Sequence, residues 1–600
     1  MNVNIKTLIP PQAIATLMIL CACGGGGGSS RGGGIVQPMV LTGAFIDGPV
    51  AGLHFETASR SGLTNTNGEF QYLAGESVRF SVGGIELGSA IGAARVTPFD
   101  LFSMAAPATE LEVRAALNAA GRNRVTDFDR VVNVAQLLVT LDVDSNPNNG
   151  IDLGNAHVNL SGASLSFDSN LLVFYEQDLR RFATAHGLAV NVPPAAGILH
   201  LYRSLAINIP VHALAMAAHD DNGDALPEFL SSAEYDSHGR LIAEAFDENA
   251  DGMLEFRRTL TYSEDADGDT GLGRNRHLLE KFWRDDNRDG TVDFRGEIAY
   301  TRDGADKPLS EFYTQDNGND GSVDYATNRS GAYDTAGNFL QELYEVDNNG
   351  DGTPESRNST TYTYDSAGNR LSEVLEEDND VDGSVDYTYT ETYNYDAEHH
   401  LLGVEYSQDS NADGTVDLRE STAYSYDDLG NRLSSVFQRD NQADGTPDRA
   451  TVNNYLYDME GNLLSNEFKV DSNADSVFDF TTVETFTYDG AGNRLTRIFQ
   501  RDSGADGMLD FIRTETYTYD LIGNLLTYVI EQDGNADGSV DFVSNQNYVY
   551  DAIGGYLLSS TLQEDIGADG TVDDEQTSTY SHIEIADGLV YLLLFERLFN

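Results

Sequence analysis

Oxygen-bearing side chains recur at fixed spacing through the second half of this chain. The phrase is D-x-N-x-D-G-x-x-D, with carboxylates or amides at positions 1, 3, 5 and 9 and glycine at 6. In chain order its copies supply Asp220, Asn222, Asp224, Glu228; Asp247, Asn249, Asp251, Glu255; Asp285, Asn287, Asp289, Asp293; Asp316, Asp320, Asp324; and Asp347, Asn349, Asp351, Glu355. They continue with Asp378, Asp380, Asp382, Asp386; Asp409, Asn411, Asp413, Asp417; Asp440, Asp444, Asp448; and Asp471, Asn473, Asp475, Asp479. The last are Asp502, Asp506, Asp510; Asp533, Asn535, Asp537, Asp541; and Asp565, Asp569, Asp573. A hard cation such as Ca²⁺ takes about six to eight oxygens at about 2.3–2.6 Å. Positions 1, 3 and 5 of a tight loop can point inward together if position 6 turns sharply, which accounts for the glycine. A backbone carbonyl at position 7 and water would complete the shell. These residues are the candidate metal ligands, and Ca²⁺ at multiple sites is the expected cofactor.

From Asp285 to Asp533 every step between copies is 31 residues, and twelve copies in near-fixed register are not chance. Some are weaker: Gly318, Gly504 and Gly567 replace the third ligand, Gln442 lengthens it, and Ser476 replaces the turning glycine. An EF-hand would need a bidentate Glu at position 12 between helices. Gly296, Asn358, Tyr389 and Thr451 stand there instead, with Glu420 an exception. The loop resembles the DxDxDGxxD type of integrin α-chain propellers and thrombospondin type 3 repeats. The plainer reading is that acidic glycine turns are soluble hairpin tips. Soluble tips need charge but not this order of charge.

A second phrase, Y-x-Y-D-x-x-G-N-x-L, alternates with the first. It stands at 362–371, 424–433, 455–464 and 517–526, and at 486–495 with Phe in its first place. D-x-x-G-N suits a type I turn followed by a left-handed glycine, a short hairpin connection. His399-His400 replaces Gly-Asn in one copy and reads as a decayed turn, not a ligand pair. The phrase resembles the YD repeat of the RHS family, which implies a coiled or spiral sheet. RHS proteins often carry a C-terminal toxin, and with 584–600 following the last repeat none is expected here.

Each unit is therefore two strands, one entering the acidic loop and one returning to the Tyr pair. Residues one, seven and nine places past the loop's last Asp, such as Phe511, Tyr517 and Tyr519, are aromatic and share a face by odd spacing. Leu433 and Phe437 in the entering strand add to it. The expectation is a mainly β fold whose meander has one apolar and one polar face, with YD turns on one edge and acidic loops on the other. A bare apolar face of that length would aggregate, so the sheet must curl on itself or gain a second layer. A β-propeller is the alternative, although 31 residues are few for a four-stranded blade.

The first half differs. Residues 1–219 carry 16 acidic and 12 basic side chains, and the rest of the chain carries 81 and 24. Short alternating runs from Val40 to Thr97, punctuated at Asp47-Gly48, Asn67-Gly68 and Gly83-Gly84, predict antiparallel strands. They resemble the transthyretin-like, or carboxypeptidase-regulatory-like, β-sandwich found near the start of many bacterial lipoproteins. Helical spacing follows over 109–120, 127–141, 171–186 and 195–206. The run 142–152 offers oxygens at 144, 146, 148 and 152, a further candidate cation loop or else a polar turn.

The chain opens with Lys6, then an apolar run over 13–20, too short to span a bilayer. Leu20-Cys21-Ala22-Cys23 resembles a bacterial lipobox, which implies lipidation of Cys23 and an outer-membrane lipoprotein, on the periplasmic or the outer surface. A plain secretory signal is the alternative. The chain has no cysteine besides these two, so after cleavage no internal disulfide can form. The Gly/Ser run 24–34 reads as a tether.

The organisation expected is a signal peptide over 1–22, a tether over 23–38, a β-sandwich with helices over 39–210, the repeats over 220–583 and a cap over 584–600. A net charge of -61 disfavours nucleic acid and anionic membrane surfaces as partners. Zincin, P-loop and dinucleotide motifs are absent, and no enzymatic activity is expected. The expected role is a lipid-anchored, calcium-stabilised interaction or adhesion module, touching the membrane through its lipid and a protein or glycan at the cell surface. A carbohydrate-binding or envelope-scaffold role using the Tyr side chains is the alternative, and an enzyme with its site in the N-terminal domain is a third.

Overall fold

The computed structural model describes residues 39–586, apart from 121–124, 145, 189–193, 223, 238, 263–276, 303–307 and 335–336. The signal segment, Cys23, the tether, the acidic insert 265–269 and residues 587–600 of the expected cap lie outside the described residues.

Two small sheets open the fold. Val40–Phe45 lies between Glu69–Leu73 and Arg95–Val96, and the other sheet runs Ser61–Leu63, His54–Glu56, Ser77–Val82, Ile85–Ile91. Strict alternation turns Phe45, Phe70, Phe80 and Val82 into a shared core, with Phe45 and Phe80 centroids 4.8 Å apart. The predicted turn glycines Gly48, Gly68 and Gly83 all have positive φ. The helices follow the 3–4 spacing: Glu110–Ala120, Asp127–Thr140 and Pro194–Ser204. A capping box starts the second of these, with Thr126 Oγ1 accepting from Asp129 N and Asp129 Oδ2 accepting from Thr126 N.

The repeats form an antiparallel meander that closes. Among the described residues 24 strands make one barrel, from Val211–Asp220 to Asp574–Ile585. These two strands pair with each other, Val211 against Ile585 and Asp220 against Thr577. This corrects the coiled or spiral sheet and the propeller. Nearly identical hairpins impose nearly identical curvature, so enough of them bring first strand to last, and closure removes both open edges. At about 4.8 Å per strand the circumference is about 115 Å.

The expected split into an apolar and a polar face is also corrected. Pairing puts Phe511, Arg513, Glu515 and Tyr517 on one face, opposite Gln532, Ile530 and Tyr528. Aromatic rings do line this face near both rims, as in Phe246–Phe256 at 5.3 Å and Tyr517–Tyr528 at 4.9 Å. Between them lie charges paired across strands. Arg497 bridges Glu484 and Glu515 at 2.6 and 2.9 Å, and Arg513 reaches Glu515 at 2.9 Å. The other face carries Thr514, Thr516, Glu531 and Val529. Among the described residues, neither face of this strand pair presents the continuous apolar band that a bilayer-embedded barrel needs. Among the described residues no helix is long and apolar enough to cross a membrane.

At the turn rim, Asp520 Oδ1 accepts from Ile522 N and Asn524 N, while Asn524 Nδ2 donates to Asp520 Oδ2. Gly523 sits at φ 85°. The second Tyr of the phrase donates to a carbonyl 25 residues back: Tyr364 to Phe339, Tyr395 to Arg370, Tyr426 to Leu401 and Tyr488 to Leu463, at 2.8–3.0 Å. Each such bond ties one hairpin to its predecessor.

The helices of the first half sit on this rim. Asn118 Nδ2 donates to Ile522 O and Asn524 Oδ1 at 3.1 and 3.0 Å. Glu110 accepts from His212 N and Nδ1 and pairs with Arg114 at 2.7 Å. Thr184 lies beside Gly368, in a turn twelve strands around the ring from the 551–556 turn that meets Leu111 and Glu110. The N-terminal elements thus span the turn end of the barrel, and all described residues from Val40 on belong to one compact unit.

Candidate metal centre

The twelve acidic loops form the opposite rim. In the 409 copy, Asp409 Oδ2 accepts from Gly414 N at 2.7 Å and its Oδ1 from Asp413 N at 3.1 Å. Asn411 Oδ1 also accepts from Asp413 N, Asp413 Oδ1 from Thr415 N, and Asp417 Oδ2 from Ser410 N. Gly414 lies at φ 88°, as the turning glycine should. Position 4 is left-handed too, at Ala412 φ 50°, Val381 φ 56° and Arg288 φ 59°. That second left-handed residue was not read from the sequence, because Ala, Val and Arg do not signal it. It stands because the carboxylates capture the surrounding amides. The fixed order of acids thus has a reason apart from any cation: each side chain accepts backbone N–H groups of its own loop.

Those bonds also keep the acids ionised. The Thr415 hydroxyl and amide hold the Asp413 carboxyl below its usual range, as Thr291 does for Asp289 and Ser539 for Asp537. Burial pushes Asp347 up, but four backbone amides outweigh it and the net shift is downward.

Convergence separates the loops. Among the described residues, three carboxylates offer oxygens within 4.8 Å of one another in four of them: Asp220, Asp224, Glu228; Asp247, Asp251, Glu255; Asp347, Asp351, Glu355; and Asp378, Asp380, Asp386. The structure does not gather three carboxylates this way in the copies starting at Asp285, Asp316, Asp409, Asp440, Asp471, Asp502, Asp533 and Asp565. The reason is length and type of side chain. Three of the four carry Glu at position 9, one methylene longer than Asp, and the fourth carries Asp at position 3 where the other copies have Asn, Gln or Gly. That signal lay in the sequence but was weighed equally with Asp.

In the run 142–152 the side chains bond their own loop, as in the repeats. Asp144 accepts from Asn146 N and Asn149 Nδ2, and Asp152 from Gly154 N. Burial, with Asp144 alongside, pushes the Asp142 carboxyl up to about 6. His399 and His400 keep the hairpin geometry: His399 takes φ 70° in place of glycine, and His400 bonds Asp396 as Asn does elsewhere.

One serine–histidine–aspartate arrangement exists in the first half. His200 Nδ1 lies 2.9 Å from Asp47 Oδ1, and its Nε2 lies 3.5 Å from Ser204 Oγ. The same Nε2 is 3.0 Å from Pro147 O, an acceptor, so it carries a proton and cannot take one from Ser204. Burial pushes against the charge, yet the Asp47 carboxylate and the Pro147 carbonyl raise the imidazole above its usual range. With His200 and Asp47 both buried, this is an internal ion pair joining the 194–204 helix to the first turn.

No family model matches the chain, and no curated protein matches it. Among solved structures it is similar to a porin-like protein from Bacteroides uniformis, at 16% identity and TM-score 0.19, over 40% of this chain and 95% of that one. It is similar to TcdB2-TccC3 without its hypervariable C-terminal region, at 13% identity and TM-score 0.16. It is also similar to the Photorhabdus luminescens Tc holotoxin pore, at 11% identity and TM-score 0.17. Each of these two matches covers 62% of this chain and 23% of the other.

Proposed function

We propose that this chain is a lipid-anchored, calcium-stabilised repeat barrel of the cell envelope, acting as a non-enzymatic interaction or adhesion module. The observation that carries the calcium part is the convergence of three carboxylates in each of four loops on one rim. Like charges held that close are unfavourable until a cation joins them, and oxygen-only donors select Ca²⁺ or Mg²⁺ over softer metals. Membrane attachment rests on the lipobox-like Cys23, since the barrel faces are too polar to sit in lipid. The outer membrane, and either of its faces, is where such an anchor would place the chain. Metabolic labelling with a clickable fatty acid tests the anchor: Cys23→Ala should abolish incorporation, and retained label would refute it. Protease treatment of intact cells then tells surface from periplasm.

A second reading, glycan binding, has its own observation. A cleft of about 460 Å³ on the aromatic face is lined by Tyr313, Tyr325, Tyr344, Glu311, Arg329 and Glu342. Tyr rings beside charged hydrogen-bonding groups suit the alternating apolar and hydroxyl surfaces of a sugar. Glycan-array binding that is lost in Tyr344→Ala supports this reading, and binding unaffected by that change counts against it.

A further inference from the structure

The loop at 247–255 differs from its three convergent neighbours. Its first and last ligands are deeply buried, Asp247 at 4% and Glu255 at 2% exposure. Glu255 Oε2 accepts from Glu248 N at 2.6 Å. Glu255 Oε1 is buried and has no hydrogen-bond partner. In the 220 and 347 loops the matching oxygens, Glu228 Oε1 and Glu355 Oε1, accept from Asn222 Nδ2 and Asn349 Nδ2. At 247 that oxygen is left bare. A buried carboxylate oxygen without a partner is unfavourable, and a cation is the partner that three such groups can share.

We propose that Asp247, Asp251 and Glu255 form the first-filling Ca²⁺ site of the barrel, a structural site with two buried ligands filled before the less buried loops. This rests on the cation reading above and deepens it. The remaining geometry fits. Asp247 Oδ1 and Oδ2 accept from Asp251 N and Gly252 N at 3.1 and 2.8 Å, and Asp251 Oδ1 from Met253 N at 2.9 Å, so the loop is already folded around the site. Little ordering is left for the ion to impose, which favours affinity. The three oxygens lie within 4.8 Å of one another, and opposite oxygens around Ca²⁺ stand about 4.6–5.2 Å apart. The next loop braces the site from outside: Asp285 N donates to Glu255 O at 2.8 Å, and Arg288 pairs with Glu248 at 2.6 Å.

The chain carries its own reporter. Trp283 is its single tryptophan and pairs with Arg257, two residues past Glu255. The test titrates the full chain with Tb³⁺, an oxygen-seeking stand-in for Ca²⁺, exciting Trp alone and following binding in parallel by calorimetry. Expected is Trp-sensitised Tb³⁺ emission that saturates with the first equivalent and that Ca²⁺ reverses. Glu255→Gln should weaken that phase by tenfold or more, since losing even an outer-shell partner costs about 10–100-fold. Glu355→Gln, the same change in a less buried loop, should leave it intact. Asp251→Asn, at an exposed ligand, repeats the test should Glu255→Gln fold poorly. Calorimetric binding whose first equivalent gives no Trp-sensitised emission, or emission untouched by Glu255→Gln and Asp251→Asn, overturns this site while leaving the cation reading standing. Absence of any calorimetric binding overturns both.

Discussion

Residue by residue, a single methylene separates the loops that gather their acids from most of those that do not. Glu228, Glu255 and Glu355 reach their partners where Asp417 or Asp541 at the same position does not. Asp417→Glu should therefore create a site, adding one Ca²⁺ equivalent by calorimetry against the parent chain. The converse, Glu355→Asp, should remove one. Asp and Asn at position 3 were legible from the sequence as ligands. The order of affinity was not, because it depends on which oxygens the loop's own amides already occupy.

Among the elements, the hairpin with its two unlike ends was readable from the 31-residue period and from D-x-x-G-N. Gly523 in its left-handed turn is one consequence. Gly523→Ala should lower stability by about 1 kcal/mol, measured by chemical denaturation. The bond from the second Tyr of each unit to the unit before was not readable, since its acceptor is a main-chain carbonyl 25 residues away. Tyr426→Phe should lose about 1 kcal/mol by deleting the bond to Leu401 O at 2.9 Å while keeping the ring. The bulge beside each turn, such as that between Ser425 and Tyr426, was hidden as well, because an extra residue in one strand leaves no mark on composition.

For the molecule as a whole, closure was beyond the pattern. Alternation tells which side chains share a face, but how far each hairpin rotates from the last decides whether a sheet spirals or closes. Arg497 and Glu515 were visible as residues, yet their cross-strand pairing was needed to see that the aromatic face is also a charged one. The seam between helices and barrel was equally hidden, as it joins Asn118 to Asn524. Its chemistry gives a pH dependence. His582 lies there with His212, Arg114, Glu110, Tyr556 and Asp551, its ring tilted against Tyr556 at 4.5 Å. Burial, then Arg114 and His212, holds its imidazole below the usual range. The fold therefore prefers neutral His582, and stability should fall as pH drops below the ordinary imidazole value of about 6.5. Thermal melting from pH 7.5 downward should show this loss, and His582→Gln should flatten it.

Calcium binding to the full chain, measured by calorimetry with melting curves in calcium and in chelator, bears most directly on the whole account. Expected is tight binding close to the four convergent loops in number, with melting raised by calcium and lowered by chelator. Fewer than about three bound ions, or melting that ignores the chelator, would contradict it.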